Sequence, residues 1–89
     1  MTDAFVAGLR DEIDEIDRGL LAAINRRLAT VRRLHDYKQA EGLPLRDPGR
    51  EASLLTMLAA ANTGPLSAEG VADFFEHVLE LTRRELHGE

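Results

Sequence analysis

Three cations, Arg10, Arg27 and Lys38, fall where the pattern of this 89-residue chain calls for apolar side chains. With residues placed at about 100° intervals and Ile24 as origin, Leu9, Ile13, Ile16, Leu20, Leu28, Val31 and Leu34 lie between about −80° and about +40°. Arg10 falls at about +40°, Arg27 at about −60° and Lys38 at about −40°, inside that sector. Arg18, Arg26, Arg32 and Arg33 lie near or beyond about +80°, where a solvated face belongs. Cations facing a core need counter-charges or an anionic ligand. The alternative is that each lays its stem over the stripe and carries its charge to water. At about 1.5 Å of rise per residue, Arg27 and Lys38 are about 16 Å apart and could converge on one small anion. Arg10 is about 25 Å from Arg27, so it can reach the same ligand only from a second chain.

A second group follows a turn. Measured from Leu54, the residues Asp47, Arg50 and Glu51 all lie within about 60° on a helical wheel. Asp47 has a simpler reading as a helix cap, and Arg50 and Glu51 as ordinary first-turn charges. Thr82 continues the stripe of Val71, Phe75 and Val78, where a buried threonine commonly bonds to its own helix.

The elements that must carry these groups are helices. From about Asp3 to Ala40 there is no proline, and Gly42-Leu43-Pro44 ends the run. Asp47-Pro48 starts a second helix over about 48–61, with proline at the first helical position and Leu54, Leu55, Met57 and Leu58 on its apolar side. After Asn62-Thr63-Gly64-Pro65, Ser67 can cap a third helix over about 67–87, with an apolar face of Val71, Phe74, Phe75, Val78, Leu79 and Leu86. The fold class is therefore all-α, one domain over 1–89 with one long helix, a loop at 41–47 and two shorter helices. The long helix would extend about 55 Å, against a radius of gyration near 12 Å for a compact domain of this length. Two short helices cannot cover its whole apolar stripe, which calls for a partner. The simplest solution is a symmetric dimer with the long helices antiparallel, and the alternative is a helix broken at Gly19 and folded into a monomeric bundle. That dimer brings the partner's Arg10 beside the middle of the helix, so each site combines both chains.

Composition narrows the function. Hydrophobic residues make up 44% of the chain, yet it has three Phe, one Tyr and no Trp, so the core is aliphatic. With no cysteine, disulfides, thiolate metal sites and catalytic thiols are excluded, which fits the reducing cytoplasm. A net charge of −5 argues against a nucleic-acid partner. No apolar run approaches membrane-spanning length, and Met1-Thr2-Asp3 does not open a signal peptide. His35, His77 and His87 share no ligand spacing, so no metal is expected, and His35 is assigned no role.

Leu9-Arg10-Asp11-Glu12-Ile13-Asp14-Glu15-Ile16-Asp17 followed by Leu20-Leu21 resembles the opening of the all-helical, AroQ-class chorismate mutases. The resemblance continues through Arg26-Arg27-Leu28, Lys38, Gly42-Leu43-Pro44, Asp47-Pro48-Gly49-Arg50-Glu51 and Gly64-Pro65-Leu66-Ser67. It implies an intertwined homodimer that rearranges chorismate to prephenate for phenylalanine and tyrosine biosynthesis, without a cofactor. It also implies roles. Arg10 from one chain and Arg27 from the other would hold the two substrate carboxylates, and Lys38 would contact the ether oxygen and a carboxylate. Glu51 and the Asp47 region would bind the ring hydroxyl. Arg50 would line the site, Thr82 stands where the family has serine, and Leu34, Leu54 and Leu79 would form an apolar wall. A one-step pericyclic reaction needs only a restrained reactive conformer and donors at the ether oxygen.

Two positions depart from the family pattern. Leu86 stands where a glutamine donates to the ether oxygen, and His35 stands where glycine is common. The ending Leu81-Thr82-Arg83-Arg84-Glu85-Leu86-His87-Gly88 resembles actinobacterial members activated by docking to 3-deoxy-D-arabino-heptulosonate 7-phosphate (DAHP) synthase, which implies a regulatory partner. Arg83 and Arg84 are read as cations suited to a helix C-terminus. Competing readings are a mutase of 4-amino-4-deoxychorismate, an isochorismate pyruvate lyase of the same fold, and a non-catalytic helical regulatory dimer.

Overall fold

The computed structural model describes residues 3–87, and among them the chain is helical apart from its connections. The helices are α1 (Ala4–Ala40), α2 (Pro48–Ala61) and α3 (Ala68–His87). Local chemistry sets each end. The Asp3 carboxylate accepts from the Phe5 and Val6 amides at 2.8 and 3.2 Å, so Asp3 caps α1 from just outside it. Asp47 accepts from the Arg50 amide at 3.0 Å, with Pro48 opening α2. Ser67 accepts from the Gly70 amide at 3.0 Å and likewise stands outside α3 as its cap.

The end of α1 explains Gly42. The Leu43 amide donates to the Lys38 carbonyl at 2.7 Å and the Gly42 amide donates to the Gln39 carbonyl at 3.3 Å, the paired bonds of a Schellman turn. That turn requires a left-handed residue, and Gly42 has φ +70°.

The chain divides into two units, Met1–Arg33 and Leu34–Glu89. In the first, α1 runs without a break through Gly8 and Gly19 and buries no residue. Its stripe is open at Leu9, Ile13, Ile16 and Leu20, which remain 43–57% exposed, whereas Ile24, Leu28 and Val31 are half-buried. In the second, α2 packs on α3. The buried centre belongs to α3, where Val71, Val78 and Thr82 are each 7% exposed or less. Leu54, Leu55 and Leu58 of α2 are half-buried around it. Two residues expected on apolar faces are exposed, Met57 on α2 and Phe74 on α3. Phe74 retains an edge-to-face contact with half-buried Phe75 at 5.1 Å between ring centroids. Asn62 ties the α2–α3 connection: its amide group donates to the Leu66 carbonyl at 2.6 Å, and its side-chain oxygen accepts from the Gly64 amide at 3.2 Å. No helix among the described residues is long and apolar enough to cross a membrane.

Candidate active site

The capped first turn of α2 presents Glu51 toward α3. A carboxylate there meets the unpaired amides and positive dipole end of the helix. Arg83, near the far end of α3, reaches the same point, and its Nη1 lies 3.6 Å from Glu51 Oε1. Arg46, in the loop before α2, places Nη2 at 3.7 Å from Glu51 Oε2. Each oxygen of one carboxylate thus faces a different guanidinium. The Glu51 and Arg83 side chains are 27% and 32% exposed, and Arg46 is 64% exposed. Arg46 is therefore the well-solvated member, and the Arg83 contact the better shielded one.

These residues line an open cleft of about 420 Å³ between α2 and α3. Pro48, Ala52, Leu55 and Leu79 supply its apolar walls, and Glu76 and Glu80 add two carboxylates. Its size suits a small-molecule ligand. Its charge is three carboxylates against two guanidiniums.

Of the residues singled out from sequence, Glu51 and Leu79 meet in this cleft, while Asp47, Arg50, Leu54, Thr82 and Leu86 do not line it. Asp47 and Arg50 are exposed, joined through the capping bond of the Arg50 amide. Thr82 is buried and its hydroxyl donates to the Val78 carbonyl at 2.7 Å, the back-bonding expected of a helical threonine. Leu54, Leu79 and Leu86 are half-buried, and Leu34 is 49% exposed. Lys38 is half-buried in the last turn of α1. Arg10 is exposed and Arg27 half-buried, separated on α1 by about 25 Å of helix rise. Within one chain they do not meet.

Sequence reasoning missed Arg83. The helix-dipole reading gave Arg83 no further role, and its contact with Glu51 adds one. A signal was present, since Arg83 follows Leu79 by four residues and shares its face. Arg46 offered no comparable signal, because a loop has no periodicity to read.

His77 Nδ1 lies 2.7 Å from the Asp73 carbonyl oxygen and 3.6 Å from its carboxylate. The backbone contact first, and then the Asp73 charge, raise its pKa above 6.5. It does not line the cleft. Among the described residues no group of three or more His, Asp or Glu is arranged to hold a metal ion. The side chain of His87 lies outside the described residues.

Comparison with known proteins agrees with this architecture. Residues 9–86 match the family model "Chorismate mutase type II". The chain is 39% identical over 83 residues to the T-protein of Enterobacter agglomerans, a match covering 92% of this chain and 21% of that protein. It is 38% identical over 77 residues to the T-protein of Haemophilus influenzae, covering 86% and 20%. The chain therefore spans about a fifth of the length of these relatives. Two structures of chorismate mutase from Thermus thermophilus are each 30% identical to it. Form II superposes with a TM-score of 0.82, covering 86% of this chain and 88% of the other, and form I with 0.83, covering 86% and 96%. With three helices, no strand among the described residues and a family match over nearly its whole length, this chain belongs to the chorismate mutase type II family.

Proposed function

We propose that this chain is a chorismate mutase, converting chorismate to prephenate in the cytoplasm as a single domain over 1–89 that works as a homodimer with sites shared between chains. The observation that carries the reading is the match to solved chorismate mutases over nearly the full length of both partners. The dimer is supported by the open stripe of α1. Covering the remaining exposure of Leu9, Ile13, Ile16 and Leu20 would contribute roughly 3–6 kcal/mol per chain.

In the reaction the ether C–O bond breaks as a C–C bond forms within one molecule, so no group is transferred to the protein. The chain's task is to hold a flexible dianion in its reactive chair and to stabilise negative charge growing on the ether oxygen. In this reading Arg10 of one chain and Arg27 of the other bind the two carboxylates. Lys38 donates to the ether oxygen, Glu51 accepts from the ring hydroxyl beside Asp47, and Arg50 lines the site. Thr82 and Leu86 close it with Leu34, Leu54 and Leu79. Leu86 has no donor to offer, so Lys38 carries the ether oxygen without the second donor common in the family.

The test is a time course with chorismate, following loss of its diene absorbance and identifying the product. Prephenate formation supports the reading, and no conversion at high enzyme concentration rejects it. If turnover is slow, adding DAHP synthase tests the regulatory partner suggested by the C-terminal segment, and an unchanged kcat/KM removes that partner. A second reading, with 4-amino-4-deoxychorismate as substrate, rests on Glu76 and Glu80, which leave the cleft as a whole net negative. The two guanidiniums beside Glu51, by contrast, oppose an amine at that carboxylate. Competition between the two substrates decides between them.

A further inference from the structure

We infer that Arg83 is a positioning residue that sets substrate preference by holding Glu51 in a locally cationic clamp, so that the site takes a ring hydroxyl in preference to a ring amine. The inference rests on the reading of Glu51 as the ring-hydroxyl acceptor.

Without partners, the Glu51 carboxylate would be loosely placed. A glutamate side chain turns about three bonds, and the first turn of a helix fixes only its Cα. Two guanidiniums, one facing each oxygen at 3.6 and 3.7 Å, restrain the carboxylate. They are not equivalent. Arg46 comes from the loop and is 64% exposed, so water screens it and it can leave. Arg83 is 32% exposed and stands on α3, a helix whose position is fixed by buried Val71, Val78 and Thr82. It is the persistent half of the clamp.

The same arrangement bears on charge. The cleft holds Glu51, Glu76 and Glu80 against Arg46 and Arg83. With both arginines present, Glu51 retains lone pairs to accept from a hydroxyl, while the guanidiniums repel a protonated amine. Without Arg83, three carboxylates would face one solvent-exposed guanidinium. Such a cleft favours a cation and leaves Glu51 free to turn.

The experiment compares wild type, Arg83→Met, Arg83→Lys and Glu51→Gln with Arg83→Met in a Glu51→Gln background. For each protein, kcat and KM are measured with chorismate and with 4-amino-4-deoxychorismate, after circular dichroism has shown native helix content. Arg83→Met keeps most of the apolar stem and removes the charge. It is expected to raise the KM for chorismate by about tenfold, the scale of one partly screened charge-assisted contact, with a smaller change in kcat. The ratio of kcat/KM values should move toward the amine by about the same factor. Arg83→Lys should restore most of the ratio, and Arg83→Met should have little further effect once Glu51 is glutamine. A merely structural role would lower both substrates together and leave the ratio unmoved. That result, or an equal effect of Arg83→Met with and without Glu51, overturns the inference while wild-type prephenate formation leaves the proposed function standing. A wild type inactive on both substrates overturns both.

Discussion

If each site takes Arg10 from one chain and Arg27 from the other, two inactive variants should repair one another. Arg10 and Arg27 lie on the same unbroken helix, about 25 Å apart along its axis. That span is too great for two arginines of one chain to grip the carboxylates of one small substrate. In the proposed antiparallel dimer, Arg10→Ala removes one guanidinium from both sites, and so does Arg27→Ala. Each parent should lose about 10²–10³-fold in rate, the usual cost of removing a charged group from a preorganised site. When the two are unfolded together in equal amounts and refolded, about half of the dimers are mixed. Every mixed dimer has one site with both arginines and one with neither. The mixture should therefore recover about a quarter of wild-type activity, far above either parent, with its maximum at equal proportions. The assay is the loss of chorismate absorbance across mixing ratios, with prephenate quantified and refolding checked by helix content. A rate that follows the weighted mean of the parents at every ratio would refute the shared site. High activity in either parent would remove that arginine from the machinery.

Four further outcomes are expected. Lys38→Ala should lower kcat by about 10²–10³-fold while weakening substrate binding far less, and unchanged turnover would discard the ether-oxygen role. Ile16→Glu places a charge in the middle of the open stripe, so sedimentation should show monomer at concentrations where wild type is dimeric, and persistence of the dimer would move the interface elsewhere. Gly42→Ala meets no steric obstacle, since an added Cβ would find nothing within 4 Å, so its cost of about 1 kcal/mol comes from the positive φ alone and should appear in the urea midpoint at fixed protein concentration. His77 titrates above 6.5 because Asp73 favours its protonated form, so its stabilisation is complete below 6.5 and disappears as the pH rises through the raised value. His77→Gln should therefore lower Tm on the acid side and converge with wild type at alkaline pH, and a constant difference at all pH values would contradict this.

The cations proposed for the site were legible as a pattern because α1 is a single regular helix. Arg10, Arg27 and Lys38 stand out against the apolar stripe by periodicity, and a long helix keeps that periodicity without any help from tertiary contacts. Glu51 was legible for a different reason, its place in a capped first turn that begins at Asp47-Pro48. Arg83 was not, although its spacing from Leu79 was visible. An arginine near a helix C-terminus has a sufficient local explanation in the dipole, and only the packed partner shows that its charge is used elsewhere.

The amino-acid sequence by itself determined where the helices are capped, because capping depends on groups within four residues of one another. Asp3, Asp47 and Ser67 each accept from an amide two or three residues ahead, and Gly42 takes the one left-handed conformation that the end of α1 requires. It also determined the length of the α1 stripe, on which the proposed dimer rests. Only the tertiary structure decided which face of α3 meets α2. That choice buried Val71, Val78 and Thr82, left Phe74 and Met57 to solvent, and set Arg83 against Glu51 across thirty-two residues of sequence. No local rule relates such distant positions, because their meeting depends on the register of two packed helices, and register is settled by the side chains that fill the space between them.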